Sequence, residues 1–125
     1  MVKSLISAII SFLILIGGAT IENVAIKKSF GEFNEKVTAL REEVLNETAT
    51  KQKALEVQDF WIKQKDVLHV IIPHNEIKEV DLWLSESCSL IETKMYDDAL
   101  AKLEVVLELI EQIPKTFAFR VGNIM

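Results

Sequence analysis

The sequence predicts an all-α protein: an N-terminal transmembrane helix that continues into a stalk helix, packed with a small antiparallel helical bundle. Three observations carry that prediction. Apolar residues recur at steps of three and four along most of the chain, and no stretch alternates apolar and polar as a half-buried strand would. The third is a run near the N-terminus, Leu5 to Ile21, that carries no charge.

The chain has 125 residues, one domain's worth, and half of them are hydrophobic. Its 14 basic and 19 acidic residues are unevenly placed, because all but Lys3 lie beyond Ile21. The acidic balance of that body argues against nucleic acid as a partner, since neutralising phosphates needs clustered Lys and Arg. Cys88 is the single cysteine, so no intrachain disulfide can form.

Residues 1–21 are the expected transmembrane anchor. Seventeen uncharged residues sit at the lower limit for a spanning helix, roughly 17–25. Lys3 can snorkel to the headgroups and add reach. One rival is a cleavable signal peptide, with Lys3 as its charged region, Leu5 to Ile16 as its apolar core, and Gly17 and Ala19 before the cut. A buried core helix is the other, but a domain this small hardly covers a helix apolar on every side. The anchor is preferred because the helical pattern continues straight out of the run. Ala19, Asn23, Ile26, Phe30, Phe33, Val37, Leu40 and Val44 form a heptad stripe that begins inside the apolar run without a break in phase. Proline is absent from residues 1–72, and Gly31 weakens a helix without ending it. One helix is therefore expected to leave the membrane and run to about Asn46. No lipid-attachment cysteine stands directly after the apolar run, so the anchor is expected to be the helix itself. Lys3 on one side and Lys27 with Lys28 on the other nearly tie the positive-inside count. The short N-terminal tail and acidic body favour the N-terminus in the cytoplasm, so the expectation is a single-pass cell-membrane protein with its body outside.

Residues 22–47 are the expected stalk and 48–125 the bundle. Thr48 and Thr50 are capping residues ahead of a second helix, whose stripe is Val57, Phe60, Trp61, Val67, Leu68 and Ile71 with Gln64 as the polar gap. Pro73 stops it. Asn75 is placed to cap a third helix, with Ile77, Val80, Leu84, Cys88 and Ile91 as its stripe. Met95 and Tyr96 turn the chain, and Asp97 is placed to cap a fourth helix, striped by Ala99, Leu103, Val106, Ile110 and Ile113 and widened by Leu100 and Leu107. Pro114 is expected to end it. The tail, with Phe117, Phe119, Val121 and Ile124, is apolar enough to pack back. Residues 76–113, with Trp83 early and Ala99, Leu103 and Val106 later, look like one tetratricopeptide-type hairpin. A solenoid needs about three such units, so this one stands alone.

His69, His74 and Glu76, with Asp66 one turn before His69, are the one cluster with metal-ligand chemistry. A di-iron bundle needs paired Glu-x-x-His motifs that this chain lacks, and the plainer reading is a partly buried polar His69 with His74 in the Pro73 turn. Cys88, in Ser85-Glu-Ser-Cys-Ser89, has no catalytic signature around it, and its place on an apolar stripe suits a small core residue. Trp61 and Trp83 could line a pocket, though aromatics at helical spacing usually fill a core. Phosphate-binding glycine loops and nucleophile elbows are missing from the sequence. No catalytic, cofactor or metal site is expected, and no enzyme.

The N-terminal hydrophobic helix, Trp61, His74 with Glu76, Ala99-x-x-x-Leu103, Ile113-Pro114 and the closing Asn123-Ile124 together resemble a family of short bacterial proteins defined as domain of unknown function 4363. The resemblance spans nearly the whole chain. It implies proteins of Gram-positive spore formers, encoded beside a YetF-type integral membrane protein, which is thereby a candidate partner. It supplies no functional residue. The leading expectation is a non-catalytic, membrane-anchored accessory protein docking on another membrane protein. Its heptad stripe needs an apolar partner, either its own hairpin or another chain, a second copy included. The rival is an extracytoplasmic ligand or metal sensor using His69, His74 and Glu76.

Overall fold

The computed structural model describes residues 2–124, apart from the side chains at 19, 22, 23 and 120–124. The start of the stripe at Ala19 and Asn23, and Val121 and Ile124 of the tail, thus lie outside the described residues. The described residues form four α-helices: α1 (Val2–Leu45), α2 (Lys51–Leu68), α3 (His74–Glu92) and α4 (Tyr96–Ile124). No strand occurs among them.

α1 runs unbroken for 44 residues, through Gly17, Gly18 and Gly31. Its second half joins the bundle. Ile26, Phe30, Phe33, Val37, Leu40 and Val44 are all buried, so the heptad stripe finds its apolar partner within its own chain. The helices run up, down, up and down. Ser29 Oγ donates to Gln64 Oε1 at 2.7 Å, and Lys53 reaches Glu43 at 2.8 Å, which fixes α2 antiparallel to α1. Lys51 meets Glu92 at 3.0 Å and Lys65 meets Asp81 at 3.1 Å, which does the same for α3 against α2. α4 returns alongside α1, where Arg41 pairs with Glu104.

The two sharp corners at the far end share one device. α1 closes with Thr48 N–H donating to Glu43 O at 2.8 Å and Glu47 N–H to Val44 O at 3.0 Å. α3 closes with Met95 N–H donating to Leu90 O at 2.8 Å and Lys94 N–H to Ile91 O at 3.0 Å. These are Schellman closures, and each puts a residue just beyond the helix in the left-handed region: Glu47 at φ 57° and Lys94 at φ 60°. Thr50 then caps α2, its side chain accepting from the Lys53 N–H at 3.3 Å.

The α3 stripe, Ile77, Val80, Leu84, Cys88 and Ile91, and the α4 stripe, Ala99, Leu103, Val106, Ile110 and Ile113, are buried at every position. Several sequence expectations need correction. α2 ends at Leu68, ahead of Pro73, because residues 69–72 form a turn that buries Ile72 and turns Val67 outward. Asn75 does not cap α3: Pro73 is the N-cap, with no side-chain bond, and Asn75 lies inside the first turn. Asp97 likewise lies inside the first turn of α4, where its charge faces the positive end of the helix dipole. Pro114 does not end α4. A proline removes one backbone donor and displaces one carbonyl. Burial of Ile110 and Ile113 before it and packing of Phe117 after it hold the helix through that defect. Phe119, expected to pack back, is exposed.

Candidate functional site

The most unusual surface is the first half of α1. Apart from the half-buried Ile16, every large apolar side chain described from Val2 to Val24 is exposed by at least 50 %. None of them belongs to the core, which begins at Ile26. Ile9, Ile10, Phe12, Leu13, Ile14 and Leu15 point in all directions around the axis. An apolar face of this size left in water marks a surface that something apolar covers. Among the described residues no helix is long and apolar enough to cross a membrane. Ala19, inside the Leu5–Ile21 run, has a side chain outside those described.

Within the bundle, the chemistry gathers around Trp61. Its indole stacks on Phe33, with centroids 5.0 Å apart and planes 18° from parallel, and lies tilted against Phe30 at 6.1 Å. Its Nε1–H donates to Asp81 Oδ1 at 2.7 Å, and Lys65 Nζ donates to both carboxylate oxygens of Asp81 at 3.1 Å. The cluster ties three helices together and satisfies each polar atom in it, which suits an anchor of the fold better than a binding site. Sequence periodicity places Trp61 in the core but gives no hint of Asp81. A buried indole needs an acceptor, and that need is the signal that points to a carboxylate on a neighbouring helix.

His69, expected to be partly buried, is exposed instead, because α2 ends at Leu68 and leaves it at the C-cap, with Nδ1 3.2 Å from Lys65 O. His74 opens α3, also exposed, and Glu76 follows in the first turn. Among the described residues, no three His, Cys, Asp or Glu side chains come together as a metal ion would require. Cys88 is buried, its Sγ 3.5 Å from Ala54 O. Burial pushes its thiol up to about 11, the opposite of what a nucleophile needs. Trp83 is half-buried; its Nε1–H donates to Glu79 at 3.2 Å, and Lys102 lies 4.6 Å over its ring. It lies on the α3–α4 seam, against Lys102. Ser87, which sequence reading does not single out, is fully buried and bonds Trp83 O at 2.8 Å.

A family model described as a domain of unknown function, DUF4363, matches residues 20–124. The match covers the whole bundle and leaves most of the apolar half of α1 outside it. Comparison with curated proteins and with solved structures finds no match.

Proposed function

We propose, from the premise that the chain belongs to the DUF4363 family, that it is a membrane-anchored, non-catalytic helical accessory protein whose bundle docks on an integral membrane protein. The observation that supports this is the continuity of α1. One unbroken helix is apolar and largely uncovered in its first half and packs a closed core in its second. The uncharged run spans about 26 Å at 1.5 Å per residue, a few ångströms short of a bilayer core of about 30 Å. Lys3 extends it at the N-terminal end by snorkelling, and Glu22 closes the run at the other. The bundle satisfies its own apolar stripes, so an accessory role rests on its charged outer faces and not on an unfinished core. In this reading the body lies outside the cytoplasm, and the partner is of the YetF type that the family resemblance implies.

Carbonate extraction of native membranes tests the anchor. The protein is expected to stay in the pellet with its N-terminus intact. Release into the supernatant, or a mature species beginning near Thr20, overturns the proposal. Affinity capture from detergent-solubilised membranes, probed for an integral membrane protein, tests the docking.

A further inference from the structure

The end of the bundle nearest the apolar half of α1 differs from the rest of its surface in two independent ways. The first is apolar. Among the described side chains from Ile26 to Phe119, the three most exposed large apolar ones are Val70 at 80 %, Phe119 at 69 % and Val67 at 68 %. All three sit at that end. The Ser29–Gln64 hydrogen bond puts residues 29 and 64 at one level. Four residues on, Leu68 is about 6 Å nearer the apolar half, and the 69–72 turn lies beyond it. α4, paired to α1 at Arg41–Glu104, has travelled fifteen residues in the same direction by Phe119. Val24 on α1, also exposed, completes the patch.

The second difference is charge. At this end, residues 24–30, 63–81 and 115–119 hold six lysines against Asp66, Glu76, Glu79 and Asp81, with Lys65 paired to Asp81 and Lys115 to Glu111. The far portion, residues 31–62 and 82–114, holds 14 acids against six basic residues. The bundle is thus polarised, basic towards the apolar helix and acidic away from it, although the chain as a whole is acidic. Lys27, Lys28 and Lys63 are exposed and make no ion pair among the described residues.

We infer that this end is an interfacial foot that rests on an anionic lipid surface, with Val67, Val70 and Phe119 entering the headgroup boundary and Lys27, Lys28 and Lys63 meeting lipid phosphates. The inference rests on the anchored reading above. An apolar fringe ringed by basic residues is the composition of surfaces that lie in the membrane interface, where buried apolar area and attraction to anionic lipid act together. Docking the foot holds the bundle upright on the bilayer, because α1 and the foot give it two separate attachments.

The test uses the full chain in vesicles, with Val70→Cys carrying an environment-sensitive fluorophore and brominated acyl chains as quenchers. Buried Cys88, with its raised thiol, stays unlabelled at neutral pH. A second label at Met95→Cys, in the turn at the far end, is the reference. With phosphatidylcholine and one-third phosphatidylglycerol, the label at 70 is expected to be quenched severalfold more than that at 95. Each ammonium at an anionic surface favours the docked state roughly fivefold, so Lys27→Gln, Lys28→Gln and Lys63→Gln together lower the docked-to-undocked ratio about a hundredfold. Equal quenching at 70 and 95 in vesicles that keep the protein through carbonate overturns the foot and leaves the anchor standing. Quenching at 70 that is the same in pure phosphatidylcholine overturns the anionic assignment. Failure of the chain to float with the vesicles overturns the anchor, and the foot with it.

Discussion

Replacing Trp61 with phenylalanine probes the one place where aromatic packing and buried polarity meet. The variant keeps a ring to stack on Phe33 but removes the N–H that donates to Asp81 Oδ1 at 2.7 Å. A hydrogen bond to a charged group contributes about 1.5–3 kcal/mol. The smaller ring also leaves a void of about 40 Å³, which at roughly 24 cal/mol per Å³ costs about 1 kcal/mol more. The expected loss is therefore about 3 kcal/mol, or roughly 12–24 °C in Tm for a bundle of this size. Asp81→Ala is expected to cost a similar amount, because it strands a buried indole N–H and takes the partner of Lys65. The double variant should lose less than the two single losses combined, with a coupling of about 1.5–3 kcal/mol. Guanidinium denaturation of the full chain in detergent, followed by helical circular dichroism, measures all four corners of the cycle. A coupling below about 0.5 kcal/mol, the scatter of independent sites, refutes the reasoning.

Four further outcomes are expected. Phe33→Asp, on a side chain buried between Trp61 and Phe60, should abolish cooperative unfolding, while Glu35→Lys on the exposed face should shift Tm by no more than a few degrees; equal effects in the same assay would place Phe33 wrongly. Lys94→Gly should stabilise by about 0.5–1 kcal/mol by relieving the side chain at φ 60°, and a loss in the denaturation midpoint would argue against the Schellman closure. His74→Ala, and a chelator added to the wild type, should leave Tm nearly unchanged; a chelator-induced fall restored by zinc would revive a metal site. Burial favours the neutral thiol of Cys88, so its contribution holds below pH 9 and is lost as pH rises towards about 11; a midpoint that falls over that window in the wild type and not in Cys88→Ala is the expected result.

Periodicity carries the core because each stripe is a local property of one helix. Ten buried positions on α3 and α4 follow from steps of three and four alone, and so does the run from Ile26 to Val44 on α1. The ends of helices are less legible. Asn75 and Asp97 are good capping residues, yet each lies one or two residues inside its helix. The preceding turns, set by burial of Ile72 and by the Lys94 closure, decide where the backbone first becomes helical. Pro114 fails as a stop signal for a related reason. Its local cost of about 3 kcal/mol is real, but apolar side chains on both sides of it are packed against the core, and breaking the helix would uncover them.

The surfaces with functional content depend on which ends of the helices come together, and that is not written in any one helix. Lys27 and Lys28 lie more than thirty residues from Lys63, and Val70 lies nearly fifty from Phe119; only the up-down-up-down order sets them at one end. The charge polarity of the bundle is likewise invisible in the net charge of −5. That polarity also bears on orientation. Basic residues flanking a spanning helix are held on the cytoplasmic side when counted near its ends, and the foot adds Lys63 to Lys27 and Lys28 in space but not in the nearby sequence. Insertion reads the sequence as it emerges, before the bundle folds. On the anchored reading proposed above, the near tie between Lys3 with the amino terminus and Lys27 with Lys28 is therefore the quantity expected to set topology. Lys27→Gln with Lys28→Gln should strengthen the expected orientation, with the body outside. Adding two lysines beside Lys27 should reverse it, as read by protease access to the body in sealed membrane vesicles. An orientation that ignores both changes would mean that the acidic body, and not the flanking charge, decides which side it occupies.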